Sequence, residues 1–170
     1  MIQISDTLNR LLKNHSYGTI VTELLQVAAE SGKFDPLKRN EILQSHSFAW
    51  KCRYVNDALN AILDYVDIIL EDNILTEDEW TSVRWMRVYL NVTEKDFRKS
   101  KFEERIRHIV IEQLRKLYAD NLIERQEAIM QSEMQGLFGL SSRQFSRYVE
   151  EMMQVAINNG ANKNDLIKNI

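Results

Sequence analysis

Apolar residues recur at three- and four-residue spacing along nearly the whole of this 170-residue chain, and only five glycines and one proline interrupt them. That period lines side chains along one face of a helix. Gly and Pro usage far below the ordinary leaves few places for tight turns. No stretch alternates as a half-buried strand does. The pattern predicts an all-α fold: a single-domain bundle of seven to nine helices over residues 1–160, with a short Asn-rich tail at 161–170.

Local signals divide this pattern into helices. Leu8, Leu11 and Leu12 mark a first helix with Ser5 as its candidate N-cap. Ile20, Val21, Leu24, Leu25 and Ala28 mark a second, stopped by Gly32. Asp35-Pro36 is a start signal, an N-cap followed by proline at the first helical position. A long helix is predicted from about Phe48 to Glu71, with Trp50, Tyr54, Ala58, Leu59, Ile62, Leu63, Val66 and Ile69 among its apolar positions. Thr76 and Glu79 form a capping box that opens a helix to about Leu90, and Thr93 with Asp96 resembles a second start. Phe102 to Ala119 is long and amphipathic. Glu124 to Phe138 follows, and Ser141 or Ser142 caps a last helix that ends at Asn158-Asn159-Gly160.

The stretch from Leu70 to Phe97 aligns without gaps with that from Tyr118 to Phe145, at an offset of 48 residues. Asp72-Asn73 falls on Asp120-Asn121, Glu79 on Glu127, Met86 on Met134 and Phe97 on Phe145. Leu90 meets Phe138, Val92 meets Leu140 and Thr93 meets Ser141. Such a period marks one supersecondary unit used twice, here at about 57–97 and 105–145. Asp72 and Asp120 are then expected in equivalent turns.

Net charge is −3, but the charges are segregated. From Tyr54 to Val83 there is no Lys or Arg, while Asp57, Asp64, Asp67, Glu71, Asp72, Glu77, Asp78 and Glu79 fall in that span. Basic residues outnumber acids from Arg84 to Arg125. Asp64, Asp67, Glu71, Asp72, Glu77 and Asp78 are expected to form a largely exposed negative surface, which would attract a cation or a basic partner or remain a solvated face. Arg84, Arg87, Arg98, Lys99, Lys101, Arg105 and Arg107 lie among acids in a chain of pI about 5.7, which argues against nucleic acid. No apolar run reaches the roughly 20 residues of a membrane span, and Met1 to Asp6 does not read as a signal peptide. Cys52 is the single cysteine, so no internal disulfide can form and a cytoplasmic setting is expected.

No catalytic constellation is recognisable. His15, His46 and His108 share no motif, and Cys52 sits in an apolar helix as a small hydrophobe. The Asp-Asn turns fail as EF-hand loops: from Asp72, loop positions three and twelve are Ile74 and Val83, and from Asp120 they are Leu122 and Gln131. The repeat does single out Trp85, whose counterpart is Glu133. A position that accepts Glu in the sister unit is not obligatorily core. Trp85, with Tyr89 one turn on, is therefore either an exposed anchor for a partner or buried by the N-terminal helices.

The segment Ile69-Leu70-Glu71-Asp72-Asn73-Ile74-Leu75-Thr76-Glu77-Asp78-Glu79 resembles the acidic helix-turn-helix signature of TerB-like, tellurite-resistance-type helical domains. The resemblance covers roughly Asp57 to Glu151, with Asp72-Asn73 where the family has Asp-Gly. It implies an all-α, non-catalytic domain with an acidic, metal-associating surface, and so puts forward Asp72 and Glu79 as ligands of a divalent cation. The expectation is thus a bacterial, cytoplasmic, non-enzymatic binding domain, with no cofactor beyond such a cation. It would act through Asp64, Asp67, Glu71, Asp72, Glu77, Asp78, Trp85 and Tyr89 on a protein partner or a cation. The alternative is an immunity protein that neutralises a basic, nuclease-type toxin by direct binding.

Overall fold

The computed structural model describes residues 4–46, 51–70, 76–98, 100–117, 125–158 and 160, with the helical backbone alone at 51–52, 100, 117 and 125–131. The described residues form nine α-helices and no strand. In chain order these are α1 (Ile4–Asn14), α2 (Thr19–Ser31), α3 (Pro36–Ser45), α4 (Lys51–Ile69), α5 (Glu77–Tyr89), α6 (Glu94–Phe97), α7 (Ser100–Leu117), α8 (Arg125–Phe138) and α9 (Ser142–Asn158). The chain divides into two compact units, Met1–Asp96 and Phe97–Ile170.

The first unit is organised around α4. Ala61, Ile62, Leu63, Asp64, Tyr65 and Val66 are six consecutive buried residues, and at 100° per residue they point in every direction around the axis. A helix covered on all sides over this stretch lies at the centre of the core. α1, α2 and α5 pack on α4, and α3 packs on α2. Each fully buried Leu or Ile contributes about 1.5–3 kcal/mol of transfer free energy, which Leu8, Leu11, Leu24, Leu25, Leu59 and Ile62 supply across three helices. Three tyrosines tie the packed helices through their hydroxyls. Tyr54 of α4 donates to the Leu90 carbonyl (2.7 Å), Tyr65 of α4 to Ser82 Oγ (3.2 Å), and Tyr89 of α5 to the Leu24 carbonyl (3.0 Å).

The helix ends follow local chemistry. Asp35 caps α3 by accepting from the Leu37 amide, with Pro36 behind it, and Gly32 ends α2 in the left-handed region at φ 67°. Ser5 differs from its expected capping role. It lies inside α1, one residue past the start, and its hydroxyl donates to the Ala29 carbonyl of α2 (2.6 Å).

The second unit packs α7 against α8 and α9. Its core takes Ile106, Ile109, Val110 and Leu114 from α7, Met134, Leu137 and Phe138 from α8, and Phe145, Tyr148 and Met152 from α9. Phe97 meets Phe138 edge to face at 5.6 Å. Arg107 bridges Glu104 on its own helix and Glu151 on α9.

The ends of α5 and α8 close in the same way. α5 ends with Asn91 at φ 52°, the Asn91 amide donating to the Val88 carbonyl and the Val92 amide to that of Arg87. Forty-eight residues on, α8 ends with Gly139 at φ 62°, Gly139 donating to Gly136 and Leu140 to Gln135. Both are Schellman closures, in which a left-handed residue lets two amides reach back to the last turn. The same start follows each. Thr93 donates through its amide and hydroxyl to Asp96, and Ser141 through its amide and hydroxyl to Gln144. Met86 and Met134 are both fully buried, as are Leu90 and Phe138. The copies diverge after that start: α6 stops at Phe97, whereas α9 continues to Asn158. The turns at Asp72 and Asp120 lie outside the described residues.

Candidate functional site

The acids of α4 have three different fates. Asp57 is half-buried and accepts from the Gly18 amide (3.2 Å) at the start of α2. Gly18 offers no side chain of its own as a cap, and Asp57 satisfies the Gly18 amide from across the fold. The approach is close enough that a Cβ at position 18 would sit 2.5 Å from Asp57 Oδ2.

Asp64 corrects the expectation of an exposed acid: it is only 8% exposed. The Tyr17 hydroxyl donates to its Oδ2 (2.7 Å) and His15 Nδ1 lies 3.4 Å from the same oxygen. The rings of His15 and Tyr17 stack at 6.3 Å. The cause is the position of α4. On a helix surrounded by neighbours, the face carrying Asp57 and Asp64 is covered by the α1–α2 connection, and a covered carboxylate must find donors. Asp67 does lie at the surface. Glu71 and Asp72 lie outside the described residues.

At the start of α5, Glu77 and Asp78 are exposed. Glu79 is engaged locally: its carboxylate accepts from the Thr76 amide (2.7 Å) and hydroxyl (2.9 Å), and the Thr76 hydroxyl caps the Glu79 amide in return. The capping box is as expected, and it gives Glu79 an occupation other than metal binding. Among the described residues no group of three or more His, Cys, Asp or Glu side chains is placed to hold a metal ion.

Trp85 and Tyr89, one turn apart, separate. Trp85 is 57% exposed, whereas Tyr89 is 2% exposed. Tyr89 as a partner-binding residue is therefore corrected. Its ring packs on Phe34 at 5.4 Å and its hydroxyl is bonded to Leu24. The chain leading into α3 closes over it, and Trp85 escapes that cover. Burial pushes the Tyr89 phenol up to about 12, with the nearby Asp35 carboxylate acting in the same direction.

The structure adds residues to Trp85 that sequence reasoning did not select. Val88, three residues on, is 51% exposed, and Leu37 at the start of α3 is 73% exposed. Arg39 of α3 donates to the Val88 carbonyl (2.9 Å), which holds the start of α3 beside the end of α5. Trp85 and Val88 stand at helical i, i+3 spacing, a signal present in the sequence. The link between α3 and the end of α5 is tertiary and has no local signal. Glu77, Asp78, Thr81, Arg84, Trp85 and Val88 fall within an arc of about 120° on α5, and each is exposed or partly so. Trp80, Ser82, Val83, Met86 and Tyr89 of α5 face the core, and Glu79 and Arg87 are half-buried at its edges.

The first unit also carries an open depression of about 530 Å³ between the start of α2 and α4, lined by Tyr17, Thr19, His46, Arg53, Tyr54 and Asp57 among others. His46 is paired there with Glu23 (3.0 Å). In the second unit Arg98 donates to the Gly139 carbonyl, and Arg107 holds the exposed Glu104 carboxyl below its usual range by hydrogen bonding and charge. Among the described residues no helix is long and apolar enough to cross a membrane. Comparisons with protein-family models, with curated proteins and with solved structures return no match.

Proposed function

We propose that this chain is a non-enzymatic, cytoplasmic binding domain that engages a protein partner through the outer face of α5. One observation carries the reading: Trp85 stands 57% exposed, with Val88 beside it, on a helix whose other aromatic residues are buried. A tryptophan held in water on a rigid helix is unfavourable unless something covers it, and large aromatic residues dominate interface energies. Asp67, Glu77 and Asp78, exposed in the same unit, supply the charge that steers a basic partner. The resemblance of the segment Ile69 to Glu79 to TerB-like domains supports the same non-catalytic role. If the partner is a toxin with a basic cleft, the domain acts as its immunity protein.

The test begins with affinity capture from the native host, using the wild type and Trp85→Ala as parallel baits. A protein retained by the first and not the second is purified, and its affinity for both is measured. The proposal expects at least a tenfold weaker complex for Trp85→Ala and an association rate that falls as salt rises. A purified partner that binds both equally would refute the α5 face as the docking surface. Calorimetric titration with calcium runs alongside: heat from a stoichiometric site, with no protein partner, would move the function to cation binding.

A further inference from the structure

The exposed arc of α5 is complementary to itself, and we infer that it docks on the α5 of a second copy of this chain, antiparallel, about a two-fold axis. The inference rests on the reading of α5 as a docking face and names its occupant. Along the arc, Glu77 and Asp78 stand at the first turn, Thr81 in the middle, and Trp85 and Val88 toward the end, with Arg84 on the flank. Beyond Val88, α3 brings up Arg39, bonded to the Val88 carbonyl, and the exposed Lys38 next to it. The strip is therefore acidic at one end and apolar toward the other, and past that Lys38 and Arg39 add positive charge beside the Asp35 cap.

A closed two-fold interface requires each patch to match itself under rotation, and this strip does so in one orientation. Antiparallel alignment about residue 83 sets Glu77 and Asp78 of one copy against the Val88 end of the other, where Lys38 and Arg39 of α3 supply positive charge, with Arg84 one turn before. It sets each Trp85 over Thr81 of the second copy, a large side chain above a small one. With a rise of 1.5 Å per residue, Asp78 and Trp85 are about 10 Å apart along the axis, so both contacts form within three turns. Parallel alignment would place acid on acid. Antiparallel pairing also opposes the two helix dipoles favourably. Electrostatic complementarity thus selects both the partner and its direction.

The full-length chain is examined by sedimentation equilibrium across a wide concentration range at low and moderate salt. A reversible monomer–dimer equilibrium is expected, weakened by salt. Trp85→Ala and the pair Glu77→Lys with Asp78→Lys should each weaken it at least tenfold while the monomer keeps its helical circular dichroism spectrum. The pair Lys38→Glu with Arg84→Glu should weaken it likewise, and mixing the two charge-reversed proteins should restore a dimer. A wild type that stays monomeric at all concentrations overturns the inference. So does a dimer indifferent to Trp85→Ala and to both charge reversals. If the chain is monomeric while a purified heterologous partner still depends on Trp85, the docking face stands and only its occupant is wrong. If no association depends on Trp85, both readings fall.

Discussion

At the scale of residues, two aspartates seven positions apart on α4 hold down the connection between α1 and α2, Asp57 at Gly18 and Asp64 at Tyr17 and His15. Removing a buried acceptor leaves its donors unpaired, which costs about 1–3 kcal/mol. Asp64→Ala is predicted to lower the unfolding free energy in urea by that amount. Asp67→Ala, at the surface, should change it by less, at most about 1 kcal/mol. Equal effects of the two would mean that Asp64 is not covered. Gly18→Ala is predicted to destabilise as well, because the added methyl meets Asp57 Oδ2 at 2.5 Å. The sequence shows that acids cluster here, yet it does not show which of them a neighbouring segment covers. Asp64 and Asp67 look alike on one helix, and only the packing of His15 and Tyr17 tells them apart. The same holds for Trp85 and Tyr89. The repeat, which set Glu133 opposite Trp85, carried a usable signal for Trp85, and nothing local foretold that Phe34 would cover Tyr89.

At the scale of elements, far more was legible, because capping chemistry is local. Asp35-Pro36, Thr76 with Glu79, and Gly32 act where their residue types require them to. The ends of α5 and α8 share one closure with different residues in the left-handed position, Asn91 and Gly139. An L-residue there carries a steric cost that glycine avoids. Asn91→Gly is therefore expected to be neutral or mildly stabilising, whereas Gly139→Ala should destabilise by about 1 kcal/mol. Thermal denaturation of the two variants checks this, and a reversed order would contradict the shared closure. Thr76→Ala should cost about 1 kcal/mol through loss of the cap. Ser5 escaped prediction because its acceptor, the Ala29 carbonyl, is brought to it by another helix.

At the scale of the molecule, helical periodicity with scarce glycine and proline was enough to specify an all-α chain, while the division at Asp96 into two compact units has no composition shift to mark it. Burial pushes phenols up in both units, at Tyr54, Tyr65 and Tyr89 in the first, Tyr89 to about 12, and at Tyr148 in the second. A phenol in the unfolded chain titrates near 10. The folded state therefore binds these protons more tightly. Their contribution is complete below about pH 10 and is lost as pH climbs from there through the folded value near 12. The melting temperature should be flat through neutral pH and fall above about 10, less steeply in Tyr89→Phe. A profile unchanged by that substitution would contradict the burial of Tyr89.

The central claim is that the outer face of α5 serves association and not the core, and a single variant tests it. Trp85→Ala is to be measured twice, for unfolding free energy in denaturant and for association with a second copy or a purified partner. The account predicts a stability within about 0.5 kcal/mol of the wild type and association weakened at least tenfold, about 1.4 kcal/mol. A loss of about 3–5 kcal/mol in stability, the cost of deleting a core tryptophan, with association unchanged, would contradict it.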